Sequence, residues 1–141
     1  KIRETIPEAQ KYEGASSKHD ISVPVSRVAD FLVETIADLE KMVPGIRPCA
    51  FGHVGDGNIH FNLSRPADMS DGDFRAMEPE IHKAVYDRTV FMGGSISAEH
   101  GIGRLRRGEL DTYKSPVALD VMRSIKATLD PNGIMNPGKV L

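Results

Sequence analysis

Between His19 and Val25 apolar and polar residues alternate, with Ile21, Val23 and Val25 on one side. That is the two-residue period of a strand half buried in a sheet. The period then lengthens. Behind Ser26, apolar positions fall at Val28, Phe31, Leu32, Ile36, Leu39 and Met42, which predicts an amphipathic helix capped by that serine and stopped by Pro44-Gly45. Alternation returns from Cys49 to Ser64, on either side of Asp56-Gly57, the pattern of a β-hairpin. A second helix is predicted within Asp71–Met92, strongest from Pro79 onward, with Ile81, Ala84, Val85 and Tyr86 on its apolar side. Gly93-Gly94 breaks it, and Ser95-Ile96-Ser97 reads as a short strand. Gly101 to Thr112 is a glycine-led loop with one or two helical turns. Ser115-Pro116 opens the last helix, with Leu119, Met122, Ile125 and Leu129 on one stripe. Asp130-Pro131-Asn132-Gly133 stops it, and the tail NPGKVL reads as extended. At the other end, residues 1–13 suit a short helix that Pro7 limits or kinks, followed by a flexible turn at Gly14–Ser17. Helices and strands mix around one hairpin, so the fold class is α+β.

Composition narrows this only a little. The chain has 141 residues, 40% of them apolar and 27% charged, with 18 Lys+Arg against 20 Asp+Glu and a net charge of -2. A chain of this size buries about 68–70% of its unfolded surface, enough for one core. The balanced charge and pI near 6.2 argue against a nucleic-acid partner, which needs a clustered basic face. No apolar run approaches the roughly 20 residues of a bilayer span. A single cysteine, Cys49, excludes a disulfide framework and suits a reducing compartment, the cytoplasm or, in a eukaryote, the mitochondrial matrix. Cys49 itself reads as a buried strand residue without a redox role, and Met122 and Met135 as core. Arg104, Arg106 and Arg107, followed by Glu109 and Asp111, read as a solvated helix face.

The hairpin AFGHVGDGNIHFNLS carries the candidate chemistry. With Asp56-Gly57 as a two-residue type I′ turn, Gly55 faces Asn58, His53 lies opposite His60 and Phe51 opposite Asn62. Val54, Ile59, Phe61 and Leu63 then fall on the other face, toward the core. Opposed Cβ atoms sit about 4.5–5.5 Å apart, and imidazoles at that spacing can converge on one ion at about 2.0–2.1 Å. A lone strand histidine is more often half exposed than a ligand; two in register on one face shift the reading to a metal. The glycines at 52, 55 and 57 fit backbone lying close to a ligand, and a tight hairpin explains them equally well. A second cluster, SAEHGIG, follows the short strand. Glu99 could complete a set of two histidines and one carboxylate, with open positions for substrate, and His100 could serve as a base. No linear metal motif joins the two clusters, and a surface Glu-His pair is common.

FGHVGDGNIHFN, SAEHGIG and LDPNGIMNPGKVL, in that order, resemble the C-terminal part of the FAD-linked oxidases of the vanillyl-alcohol oxidase superfamily, and among them the D-2-hydroxyacid dehydrogenases. The resemblance spans essentially the whole chain. It implies an antiparallel sheet with helices packed on one face, the latter part of a substrate or cap domain in residues 1–114, and a C-terminal helix and tail returning toward the flavin in residues 115–141. The FAD-binding domain would precede Lys1, which makes the chain a part of a longer enzyme. It implies that His53, His60 and Glu99 bind a divalent metal, usually zinc, that His100 is the base, and that Asn62 positions substrate. Arg3 matches an arginine that grips the substrate carboxylate, Lys18 a lysine with a similar role, and Asn136 lies nearest the flavin. A threonine of some members is replaced here by Pro7.

The activity implied is oxidation of a small D-2-hydroxyacid to the 2-oxoacid by hydride transfer to FAD. Which hydroxyacid, which electron acceptor and which metal stay open, and so does a homodimer. A stand-alone metal-binding module, a metal-dependent hydrolase and a catalytically empty relative are the other readings.

Overall fold

The computed structural model describes residues 2–141, with side chains from Thr5 onward. They fall into two compact units that divide between Glu99 and His100. The first unit opens with helix α1 (Ile2–Ala9), which runs through Pro7 and tightens into a 3-10 turn at Gln10–Glu13. Strand β1 (Ser16–Ser22), helix α2 (Val28–Met42), strands β2 (Arg47–His53) and β3 (Asn58–Ser64) and helix α3 (Asp71–Phe91) follow. The strands make an antiparallel sheet in the order β1-β3-β2, so β3 is central. The α+β expectation holds.

Alternation along β3 divides the sheet into two faces. Ile59, Phe61 and Leu63 point into the core together with Ile21, all nearly inaccessible, while Asn58, His60, Asn62 and Ser64 point the other way. Helices α2 and α3 cover the apolar face. Phe31 of α2 meets Phe61 edge-on, with ring centroids 5.5 Å apart, and Phe74, Ile81, Val85 and Tyr86 of α3 are buried. His19 stands in the same apolar row and is buried. Its Nδ1 lies 2.9 Å from the Phe61 carbonyl oxygen and its Nε2 2.7 Å from His82 Nδ1. A carbonyl only accepts, so Nδ1 of His19 carries the hydrogen and Nε2 accepts from His82. Paired in this way, an imidazole can sit in a core. On the solvent side of the helices, Arg88 of α3 bridges Glu34 and Asp38 of α2 at 2.6 and 2.5 Å.

Several boundaries depart from the sequence expectation. Strand β1 ends at Ser22, and Val25 sits exposed in a 3-10 turn with Ser26; Arg27, not Ser26, takes the N-cap position of α2, and no side chain caps it. Helix α3 starts at Asp71, well before Pro79, because Ser70 caps it. Ser70 Oγ accepts from the Asp73 amide at 3.1 Å and donates to the Asp73 carboxylate at 2.7 Å. Ser95 makes an isolated bridge to Ser22 rather than opening a strand.

The second unit holds helix α4 (Arg107–Tyr113) and helix α5 (Pro116–Leu129), the latter capped by Ser115. Of the expected stripe on α5 only Leu119 is buried; Met122 is half-buried, and Ile125 and Leu129 are exposed, as is Met135. The tail is turned, not extended. Asp130 accepts from the amides of Ile134 and Met135 at 2.9 and 3.0 Å and pairs with Lys126. Asn136 takes a left-handed conformation, φ 49°, and the Val140 amide donates to the Gly103 carbonyl at 2.7 Å.

Candidate metal and substrate site

The β2–β3 connection is longer than the sequence suggests. Val54–Asp56 form a 3-10 turn closed by left-handed Gly57, φ 71°. His53 therefore pairs with Asn58, Phe51 with His60 and Cys49 with Asn62, a register two residues away from the expected one. A shift of two keeps every side chain on its face, so the polar set survives while its pairings change. Val54 is the exception: it lies in the turn, 58% exposed, and contributes nothing to the core. The turn is held from outside, since the Val23 amide donates to the Gly57 carbonyl at 3.0 Å.

The 95–99 segment is stitched to the outer edge of β1. Ser22 and Ser95 exchange backbone hydrogen bonds at 3.0 and 2.8 Å, and the Ala98 amide donates to the Asp20 carbonyl at 3.1 Å. The next amide, that of Glu99, donates to the Asp20 carboxylate at 2.8 Å. These bonds deliver the Glu99 side chain to the polar face of the sheet.

There Glu99 meets both hairpin histidines. Its Oε1 lies 3.2 Å from His53 Nδ1 and its Oε2 lies 3.6 Å from His60 Nε2. Asn58 donates to the same Oε1. Phe51 lies across from His60 with ring centroids 5.1 Å apart, an apolar wall for the imidazole. The site grades from covered to open: His60 is 14% exposed, Glu99 43% and His53 49%. The two histidines do not face each other directly as the two-residue turn would have it. Among the described residues, His53, His60 and Glu99 do not form one set whose ligand atoms all lie within 4.8 Å of one another. Glu99 instead turns a different oxygen toward each ring.

By its chemistry, two imidazoles and one carboxylate, that donor set suits a divalent cation. Ligands about 2.0–2.1 Å from a tetrahedral zinc stand roughly 3.3 Å apart, close to the two separations that the carboxylate makes. Of the three side chains, His53 has the most room to turn, being half exposed at the end of β2.

Asn62 and Lys18 are register partners on β3 and β1, on the same face as His60. Lys18 is exposed. Asn62 is buried, and its Nδ2 donates to Gln10 Oε1 at 2.9 Å while Gln10 Nε2 donates to Ser64 Oγ at 3.0 Å. The Arg3 side chain lies outside the described residues. His100 is the first residue of the second unit, and Asn136 belongs to that unit as well. Cys49 is half-buried rather than buried, and desolvation raises its thiol above the ordinary value of 9.0, which disfavours the reactive thiolate.

Sequence reasoning missed three residues here. Asp20 shares the face with His60 as its register partner, Asn58 holds Glu99, and Gln10 holds Asn62. The alternation of Lys18, Asp20 and Ser22 in β1 was a readable signal for Asp20. No signal marked Gln10, which reaches the sheet from a separate helical turn.

Comparison with known proteins defines the class. Residues 1–140 match the family model of FAD linked oxidases, C-terminal domain, and the chain belongs to that family. Among its curated relatives, a D-2-hydroxyglutarate dehydrogenase of Stutzerimonas stutzeri (strain A1501) is 41% identical over 140 residues, covering 99% of this chain and 30% of that protein. The mitochondrial D-2-hydroxyglutarate dehydrogenases of Danio rerio and Arabidopsis thaliana are 41% and 40% identical, covering 25% and 24% of their lengths. The chain thus spans about a quarter to three-tenths of the relatives it matches. No helix among the described residues is long and apolar enough to cross a membrane.

Proposed function

We propose that this chain forms the substrate-binding and acid–base part of an FAD-dependent dehydrogenase that oxidises a D-2-hydroxyacid to the 2-oxoacid. The observation that carries the reading is the Glu99 carboxylate lying 3.2 Å from His53 and 3.6 Å from His60 on the polar face of the sheet, in a chain that matches an FAD-linked oxidase domain over residues 1–140. The names of the relatives make D-2-hydroxyglutarate the first substrate to test.

His53, His60 and Glu99 are the residues that would hold a divalent cation, zinc first, and such a cation supplies a Lewis acid for the α-hydroxyl oxygen. FAD, when bound, supplies the acceptor for the hydride that leaves Cα. Everything else falls to this chain's own side chains. His100 accepts the hydroxyl proton, since imidazole exchanges protons near neutral pH. Lys18 and Arg3 neutralise the substrate carboxylate and hold it in one orientation. Asn62 fixes the substrate from the neighbouring register position, its amide held by Gln10. Asn136 approaches the flavin from the C-terminal tail.

Purified full-length gene product, tested for zinc content and for dye reduction with D-2-hydroxyglutarate, D-lactate and glycolate, decides the matter. The reading expects stoichiometric metal, hydroxyacid-dependent reduction, and loss of both in His60→Ala. Metal without any hydroxyacid oxidation would leave a metal module or a hydrolase and sink the proposal.

A further inference from the structure

Asp20 is a charged residue with a side chain only 6% exposed, and burying a carboxylate is costly unless it has partners. Its partners are informative. Oδ2 accepts the backbone N–H of Glu99 at 2.8 Å. Oδ1 lies 3.6 Å from Nδ1 of His60, its register partner on β3. The other nitrogen of the same imidazole, Nε2, lies 3.6 Å from Oε2 of Glu99. One imidazole therefore stands between two carboxylates, one covered and one open to solvent.

A neutral imidazole carries one N–H and one lone pair, whereas an ionised carboxylate only accepts. The more buried carboxylate has less water to satisfy it, so its field draws the hydrogen to Nδ1. The lone pair on Nε2 is then aimed at Glu99. Two acceptors facing each other across 3.6 Å repel unless a cation lies with them. The backbone bond to Glu99 fixes the second acceptor from the same carboxylate.

We propose that Asp20 is a positioning residue of this site: one oxygen sets the His60 tautomer with hydrogen on Nδ1, and the other anchors Glu99, so that both ligand atoms face the cation. The proposal rests on the reading of His60 and Glu99 as ligands. Such outer partners of metal-binding histidines contribute about 10–100-fold in metal affinity.

The test uses the full-length gene product labelled with 15N-histidine and treated to remove metal. Imidazole 15N spectra at neutral pH report which nitrogen of His60 carries hydrogen, and competition with a chromophoric chelator reports Zn2+ affinity. Asp20→Asn is nearly isosteric; its oxygen can still accept from Glu99, while its amide donates toward Nδ1. The expected result is Nδ1–H in the unsubstituted protein, a bare Nδ1 in the variant, and Zn2+ bound about 10–100-fold more weakly. An unchanged tautomer with affinity within about twofold overturns the proposal. A loss as large as that of His60→Ala also overturns it, because Asp20 would then be a ligand itself. Should the variant fail to fold, hydrogen on Nε2 in the unsubstituted protein is enough to overturn it. No Zn2+ binding by the unsubstituted protein would sink the metal reading instead, and the tautomer would still decide the role of Asp20.

Discussion

Two glycines of one turn, two residues apart, should respond oppositely to alanine. Gly57 has φ 71°, and a Cβ there would fall inside van der Waals contact of the Val23 carbonyl oxygen. The obstacle is backbone, so it cannot swing away as a flexible side chain would. Left-handed backbone costs an L-residue about 1–2 kcal/mol, and forcing extra volume into a packed contact costs about 1–3 kcal/mol more. Gly57→Ala should therefore destabilise by about 2–5 kcal/mol. At Gly55 a Cβ meets nothing within 4 Å and φ is not positive. Gly55→Ala should lie between no change and a gain of about 1 kcal/mol, from a less flexible unfolded chain. Urea denaturation of both variants reads the contrast directly. Gly57→Asn separates the two costs, since asparagine tolerates the left-handed region but keeps the clash. A Gly57→Ala variant within about 0.5 kcal/mol of Gly55→Ala would refute the claim that Val23 pins this turn.

Phe61→Ala on the central strand removes a fully buried ring that meets Phe31 and should cost about 3–5 kcal/mol in the same denaturation assay. Ser70→Ala removes the cap of α3 and should cost about 1 kcal/mol, with the loss absent when threonine replaces the serine. Asp130 is held below its ordinary value of 3.8 by its bond to Lys126 and by the amides of Met135 and Ile134. A carboxyl with a lowered folded pKa stabilises in full above its unfolded value and loses that contribution as pH falls through the folded one. Asp130→Asn should therefore lower the melting midpoint at pH 7, and the difference from the unsubstituted chain should shrink as pH falls below 3.8.

What the sequence revealed was sidedness; what it hid was partnership. His53, His60 and Asn62 were assigned to one face because the two-residue period of a strand needs no tertiary information, and that assignment survived an error in the turn. The turn itself was misread because Asp56-Gly57 satisfies the local rule for a tight hairpin. The Val23 amide, which draws Gly57 into a wider loop, is invisible to any local rule. Glu99 was picked out by its company in SAEHGIG, yet the bonds that bring it to the hairpin come from Ser22 and Asp20, far away in the chain. The start of α3 was legible in principle: Ser70 is a preferred capping residue, and Pro79 drew the boundary the wrong way. On α5 the stripe at helical spacing was real as a pattern, but periodicity says nothing about whether a partner covers it.

Strand β3 interleaves two inventories, with Ile59, Phe61 and Leu63 belonging to the core and Asn58, His60 and Asn62 to the chemistry. An exchange of one side chain there disturbs one inventory and spares the other. A single-residue insertion or deletion within the strand would exchange them, driving imidazole and amides among the helices and leaving phenylalanine and leucine on the open face. A change of length within β3 therefore damages both inventories at once where a single exchange of side chain damages one, and length variation in this hairpin should collect in the 54–57 turn.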